Sequence, residues 1–218
     1  MITKIQLHKN ATVLAMDGTP IGSLERVVVN PGNKVLTDIV VRTGNLINHD
    51  EKVVPIELVS ETADDQILLD ERAGGLERFP SFEEEQLVGE HGETNNSSDP
   101  MVEAPLMPGY LAISAPIPAH KKQIITRIEH NIPHGTVAMK EGAIVVTADG
   151  KNVGKVEGVF AEPIADQITH LLIAQGSLLV REYKLIPADW MTTLGEESIR
   201  LGVNKSMVDK LAEAPLAG

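Results

Sequence analysis

Apolar residues in the first third of the chain fall in short runs, each closed by a turn-forming residue. Ala11 to Met16 ends at Asp17-Gly18, a pair that favours a hairpin turn because glycine tolerates positive φ. Ile21 to Val29 alternates loosely and ends at Asn30-Pro31. Val35 to Arg42 is a β-branched run ending near Gly44, and Gln66 to Leu69 is a last short run. Lys52 to Val59 is interrupted by Pro55, which cannot donate to a ladder and so marks an edge or a bend. Five short strands at this spacing predict a small antiparallel barrel.

The same pattern returns at an offset of 132 residues without a gap. Asp17-Gly18 recurs as Asp149-Gly150, Gly22 as Gly154, Pro31 as Pro163, Lys52 as Lys184 and Pro55 as Pro187. Ala11, Val13, Val27, Ile67 and Leu69 recur as Ala143, Val145, Val159, Ile199 and Leu201. One register kept through every turn implies a duplicated domain. The second copy predicts strands over 143–148, 153–161, 168–175, 184–191 and 198–201. Ile5 and Leu7 match Val137 and Met139 ahead of each copy.

A helix is predicted after each copy. Ser81-Phe82-Glu83-Glu84 has capping-box spacing with acids in the first turn, and Ser206-Met207-Val208-Asp209 starts similarly. Residues 89–103 read as a polar, acidic loop, and 123–128 as an extra strand. The expected fold class is therefore all-β with minor helix, built from two small antiparallel β-barrels related by internal duplication. The expected organisation is a first domain over 1–80, an acidic, proline-rich connector over 81–133 and a second domain over 134–218 with a C-terminal helix.

The order apolar run, Asp-Gly-x-x-Ile/Val-Gly, apolar strand, Asn/Glu-Pro, Thr-x-Ile/Leu, Gly-x-Leu and Val/Ile-Pro resembles the PRC-barrel family over residues 10–70 and 142–202. The resemblance implies a tandem two-copy PRC-barrel protein. It also implies docking or assembly work, and it brings no catalytic residue set with it.

Composition narrows the chemistry. The formal charge is −12, and residues 73–119 alone carry −7. That opposes phosphate-backbone binding, and six aromatic residues are too few for a nucleic-acid stacking platform. With no cysteine, thiolate metal sites and cysteine nucleophiles are excluded, and a cytoplasmic location is expected. The alternating start of the chain predicts no secretory leader, and the proline-broken run Ala104 to Ala119 is too short to span a bilayer.

Asp17-Gly18 and Asp149-Gly150 read as turns rather than metal loops, since neither carries calcium-loop spacing. His130 and His134 are four apart, but Pro133 between them argues against a shared helical face. No cofactor and no catalytic residue is expected. The candidate contact surface comprises Leu106, Met107, Tyr110 and Ile113, with Trp190 standing where the first copy has Leu58. The expected function is a non-enzymatic protein-binding, assembly or adaptor module. Its partner is a protein, with a second copy of the chain among the candidates. Neither direct nucleic-acid contact nor membrane insertion is expected. The alternative is a small-molecule or metal sensor with a site between the barrels.

Overall fold

The structure, a computed structural model, describes residues 5–8, 10–44, 49–63, 65–88, 125–176 and 181–214. The chain divides into two compact units, 1–84 with 130–218, and 85–129. Strands β1 (Ile5–His8), β2 (Thr12–Leu14), β3 (Pro20–Asn30), β4 (Val35–Gly44), β5 (His49–Pro55), β6 (Val59–Ala63) and β7 (Gln66–Leu69) come first. After β8 (Glu83–Val88) and β9 (Ile125–His130), the series resumes with β10 (Val137–Lys140), β11 (Ile144–Val146), β12 (Asn152–Ala161), β13 (Ile168–Gly176), β14 (Arg181–Pro187), β15 (Met191–Leu194) and β16 (Ser198–Leu201). A short helix, α1 (Lys205–Asp209), follows.

The protein is mostly β, with two seven-stranded sheets and one minor helix among the described residues. The sheet orders are β5-β4-β3-β2-β7-β6 and β14-β13-β12-β11-β16-β15, each with one further strand on β3 or β12. The ladders of these two sheets repeat at the 132-residue offset: Val13 opposes Gly22 as Val145 opposes Gly154, and Asp38 opposes Pro55 as His170 opposes Pro187. The bulges repeat too, at Leu24/Arg26 and Val156/Gly158. Pro55 and Pro187 each end an edge strand and lead into one turn of 3₁₀ helix. Gly22 and Gly154 persist for a steric reason. A Cβ would meet the Arg42 carbonyl oxygen at 2.6 Å in the first copy and would clash with that of Ala174 in the second.

Two expectations need correction. The sheets are mixed rather than purely antiparallel, because β2 pairs β7, and β11 pairs β16, in parallel. No ladder among the described residues joins β5 to β6 or β14 to β15, so hydrogen bonding does not close either sheet. The helix expected at Ser81-Phe82-Glu83-Glu84 is a strand, β8, paired with β9. Its capping-box spacing is overridden by Phe82, which is fully buried against Val28, Val40 and Val53. The Arg26 guanidinium lies 4.7 Å from the Phe82 ring centre and His130 stacks on the ring at 4.4 Å. Burying that ring outweighs a cap worth roughly 0.5–2 kcal/mol.

The leading strands change sides. β1 pairs with β12 of the second copy, Leu7 opposite Val159, and β10 pairs with β3 of the first, Met139 opposite Val27. The exchange is reciprocal and keeps the 132-residue register. At its centre Val35 bridges Gln167, its own equivalent, with Leu36 N donating to Asp166 O (2.8 Å) and Ile168 N to Lys34 O (2.9 Å). These pairs lie on an approximate two-fold axis. Leu7, Leu24 and Val27 meet Met139, Val156 and Val159 around a void of only about 10 Å³, too small for a bound water. One continuous apolar core consequently runs from Val13 and Ile39 in the first copy to Val145 and Ile186 in the second.

Candidate functional site

Leu106, Met107, Tyr110 and Ile113 lie outside the described residues. Trp190 ends the 3₁₀ turn after β14, half-buried, and packs against the main core. Its carbonyl accepts the Gly202 amide at 2.8 Å. Leu58 holds the same place in the first copy.

The acidic turns act as local braces. The Thr19 amide donates to the Asp17 carboxylate at 2.9 Å and holds that carboxyl below its ordinary pKa. The buried Thr147 hydroxyl donates to Asp149 at 2.6 Å and does the same there. Asp149 also accepts the Lys205 amide at 3.1 Å, tying the turn to α1. Gly18 and Gly150 supply positive φ at these turns, +82° and +74°. His130 lies 3.4 Å from Glu196 and 3.9 Å from Glu83, while His134 is exposed. No group of three metal-ligating side chains occurs among the described residues.

A groove of about 910 Å³ lies in the second copy, along β12, the end of β13 and the start of β14. Its polar wall carries Lys155, Glu157, Gln175, Arg181, Glu182 and Lys205. Gln175 is fixed by donating its amide to the Val153 carbonyl at 2.6 Å, and Arg181 lies 3.9 Å from Glu157. The first copy has Ser23, Glu25, Thr43, His49, Asp50 and Ala73 at these places. Both carboxylates are kept, and Lys155, Arg181 and Lys205 are new. In the first copy Glu25 is held instead by Arg42, 3.6 Å away, where the second copy has Ala174. The groove thus carries Lys155, Arg181 beside Glu157, Lys205 paired with Asp209 at 2.7 Å, and a fixed amide, at positions where the first copy has no lysine or arginine. Chemically that suits an acidic or amide-rich segment.

Sequence reasoning missed this groove. Its signal was present in the repeat, as three basic residues in one copy that have no basic counterpart in the other.

A buried acid sits elsewhere, on β4. Asp38 is 8 % exposed, and its Oδ2 has no hydrogen-bond partner. Burial pushes its carboxyl above the ordinary value, opposed in part by the Thr37 hydroxyl.

Compared with protein families, residues 8–76 match the PRC-barrel domain. That span is the first copy, from the end of β1 through β7 and the turn beyond. No curated protein matches the chain. No helix among the described residues is long and apolar enough to cross a membrane.

Proposed function

We propose that the chain is a non-enzymatic adaptor made of two PRC-type copies locked in one frame, with the second-copy groove holding a segment of a protein partner. The PRC-barrel match covers the first copy. Assignment of the second copy to the same type rests on its identical strand order and register. The observation that carries the binding role is the difference between copies. What they share serves packing and turns, whereas Lys155, Arg181 and Lys205 belong to the second copy alone and line a groove, Arg181 beside Glu157 and Lys205 paired with Asp209 at 2.7 Å. Three cations around an open groove steer an acidic segment and fix its register.

The test is a photo-reactive amino acid at Gln175 in the full chain, expressed in its host cells. Wild-type groove residues should give one dominant cross-linked protein. The double variant Lys155→Glu with Arg181→Glu should lose it while keeping the same thermal midpoint. Unchanged cross-linking in that variant would refute the groove as the docking site. A cross-link to a second copy of the chain identifies the partner as self.

A further inference from the structure

The two-fold arrangement places two equivalent sites at the junction of the copies, and the chain treats them differently. Each is formed by the turn between the two longest strands of one copy and the 3₁₀ turn of the other. On one side the turn Pro31-Gly32-Asn33-Lys34 supplies a lysine. Lys34 Nζ donates to the Ala188 carbonyl at 2.7 Å and lies 4.0 Å from the Asp189 carboxylate. On the other side the turn is Pro163-Ile164-Ala165-Asp166, so an aspartate stands where the lysine was. The backbone is the same, with φ of 60° at Lys34 and 51° at Asp166.

The acceptors, however, are kept. Ile56 and Glu57 occupy the places of Ala188 and Asp189, and each 3₁₀ turn is closed by the same amide-to-carbonyl bond onto Ile56 or Ala188. With the lysine gone, a cavity of about 170 Å³ opens, lined by Ile56, Glu57, Glu61, Thr62, Pro163 and Asp166. Beside it Ile164 is 92 % exposed, the most exposed large apolar residue described, where the first copy has Gly32.

We propose that this cavity receives a primary ammonium, the side chain of a lysine on a polypeptide partner. The second copy shows what the acceptor set binds: an alkylammonium on the 3₁₀-turn carbonyl, with a carboxylate beside it. The first copy repeats those acceptors and adds Asp166 and Glu61; among the described residues no lysine or arginine bridges either added carboxylate, and the Arg72 guanidinium donates to the Glu57 carbonyl instead, at 3.3 Å. The size agrees. A butylammonium has five heavy atoms, and at about 30 Å³ per water-sized group it needs a space of this order. Ile164 at the mouth gives the flanking residues of a peptide an apolar contact, which a free amine would not use. Burial also raises the Asp166 carboxyl above its ordinary value, and an ammonium would offset that cost. The site lies apart from the groove and does not depend on it.

The test is an amide-shift titration of the full-length ¹⁵N-labelled protein. The probe is a capped Ala-Lys-Ala tripeptide, with the same peptide carrying norleucine for lysine, n-butylamine and calcium as comparisons. The lysine peptide should saturate shifts at residues 56–62 and 163–167 in the millimolar range, and norleucine should not. Asp166→Lys should place an internal ammonium on the Ile56 carbonyl as Lys34 does on Ala188. That variant should melt higher than wild type and lose the titration. Lys155→Glu with Arg181→Glu should keep it, so loss of the groove and loss of this site are separable. Equal shifts with norleucine, no shifts at 20-fold the expected range, or retention of binding in Asp166→Lys would overturn the proposal. Tighter binding of calcium would make the site a metal site, and tighter binding of n-butylamine a free-amine site; either result also overturns it.

Discussion

Asp38 is a carboxylate on the same strand face as Val40, opposite Val28 on one side and Pro55 on the other. An unmade hydrogen bond at a buried oxygen costs about 1–3 kcal/mol, and more when the group is charged. Its carboxyl is raised from 3.8 by burial, so the native state binds a proton more readily than the unfolded chain. Its contribution is therefore most favourable below pH 3.8 and is lost as pH rises through the raised native value. Asp38→Asn should raise the thermal midpoint at pH 7 by several degrees and leave it nearly unchanged near pH 4. Melting curves of both proteins across that range check it, and an equal shift at both values would show that charge burial is not the cause. The second copy has His170 here, so a polar residue stands at this position in both copies.

At the scale of elements, a buried lysine helps to hold the C-terminal helix. Lys184 on β14 is 6 % exposed, and its Nζ donates to the last helical carbonyls, Val208 at 3.3 Å and Asp209 at 3.1 Å. A five-residue helix does not persist alone. Charged hydrogen bonds to its open carbonyls are worth roughly 1.5–3 kcal/mol. Lys184→Met should therefore cost about that much, and amide exchange over 205–214 should accelerate well before that of β12 and β13. A helix that exchanges at the wild-type rate would show that Val208 packing and the Asp149 bond to the Lys205 amide anchor it without the lysine. The equivalent Lys52 works differently, on Ser81 at 3.0 Å and Asp50 at 2.8 Å, because its copy continues into a strand.

That difference explains what the sequence could and could not convey. Strands, turns and the two prolines were legible because each is dictated by local chemistry: Gly18 by φ, Pro55 by its missing donor, Val13 and Ile67 by alternation. The stretch at Ser81 was misread because its cap spacing is local, whereas the force that extends it is Phe82 packing on residues of distant strands. Parallel pairing of β2 with β7 was equally hidden, since short runs such as Thr12–Leu14 carry no direction. The groove was partly legible, in Lys155, Arg181 and Lys205 set against Ser23, His49 and Ala73.

For the whole molecule, the reciprocal exchange of β1 and β10 was the least legible feature. Ile5-Gln6-Leu7 and Val137-Ala138-Met139 show the same alternation, so each suits either sheet. The consequence is a frame in which each copy completes the other, with Leu7 and Met139 both buried at the centre. The groove and the junction cavity both lie on this one frame.

The chain has no cysteine, so a single introduced pair reports strand pairing cleanly. Lys140 on β10 lies directly opposite Arg26 on β3. Without exchange it would lie opposite Gly158, as His8 does. Arg26→Cys with Lys140→Cys should form an intrachain disulfide in the monomer under mild oxidation, seen as one linked peptide pair by mass mapping. Free thiols throughout, or disulfides found only between chains, would contradict the exchanged two-copy frame.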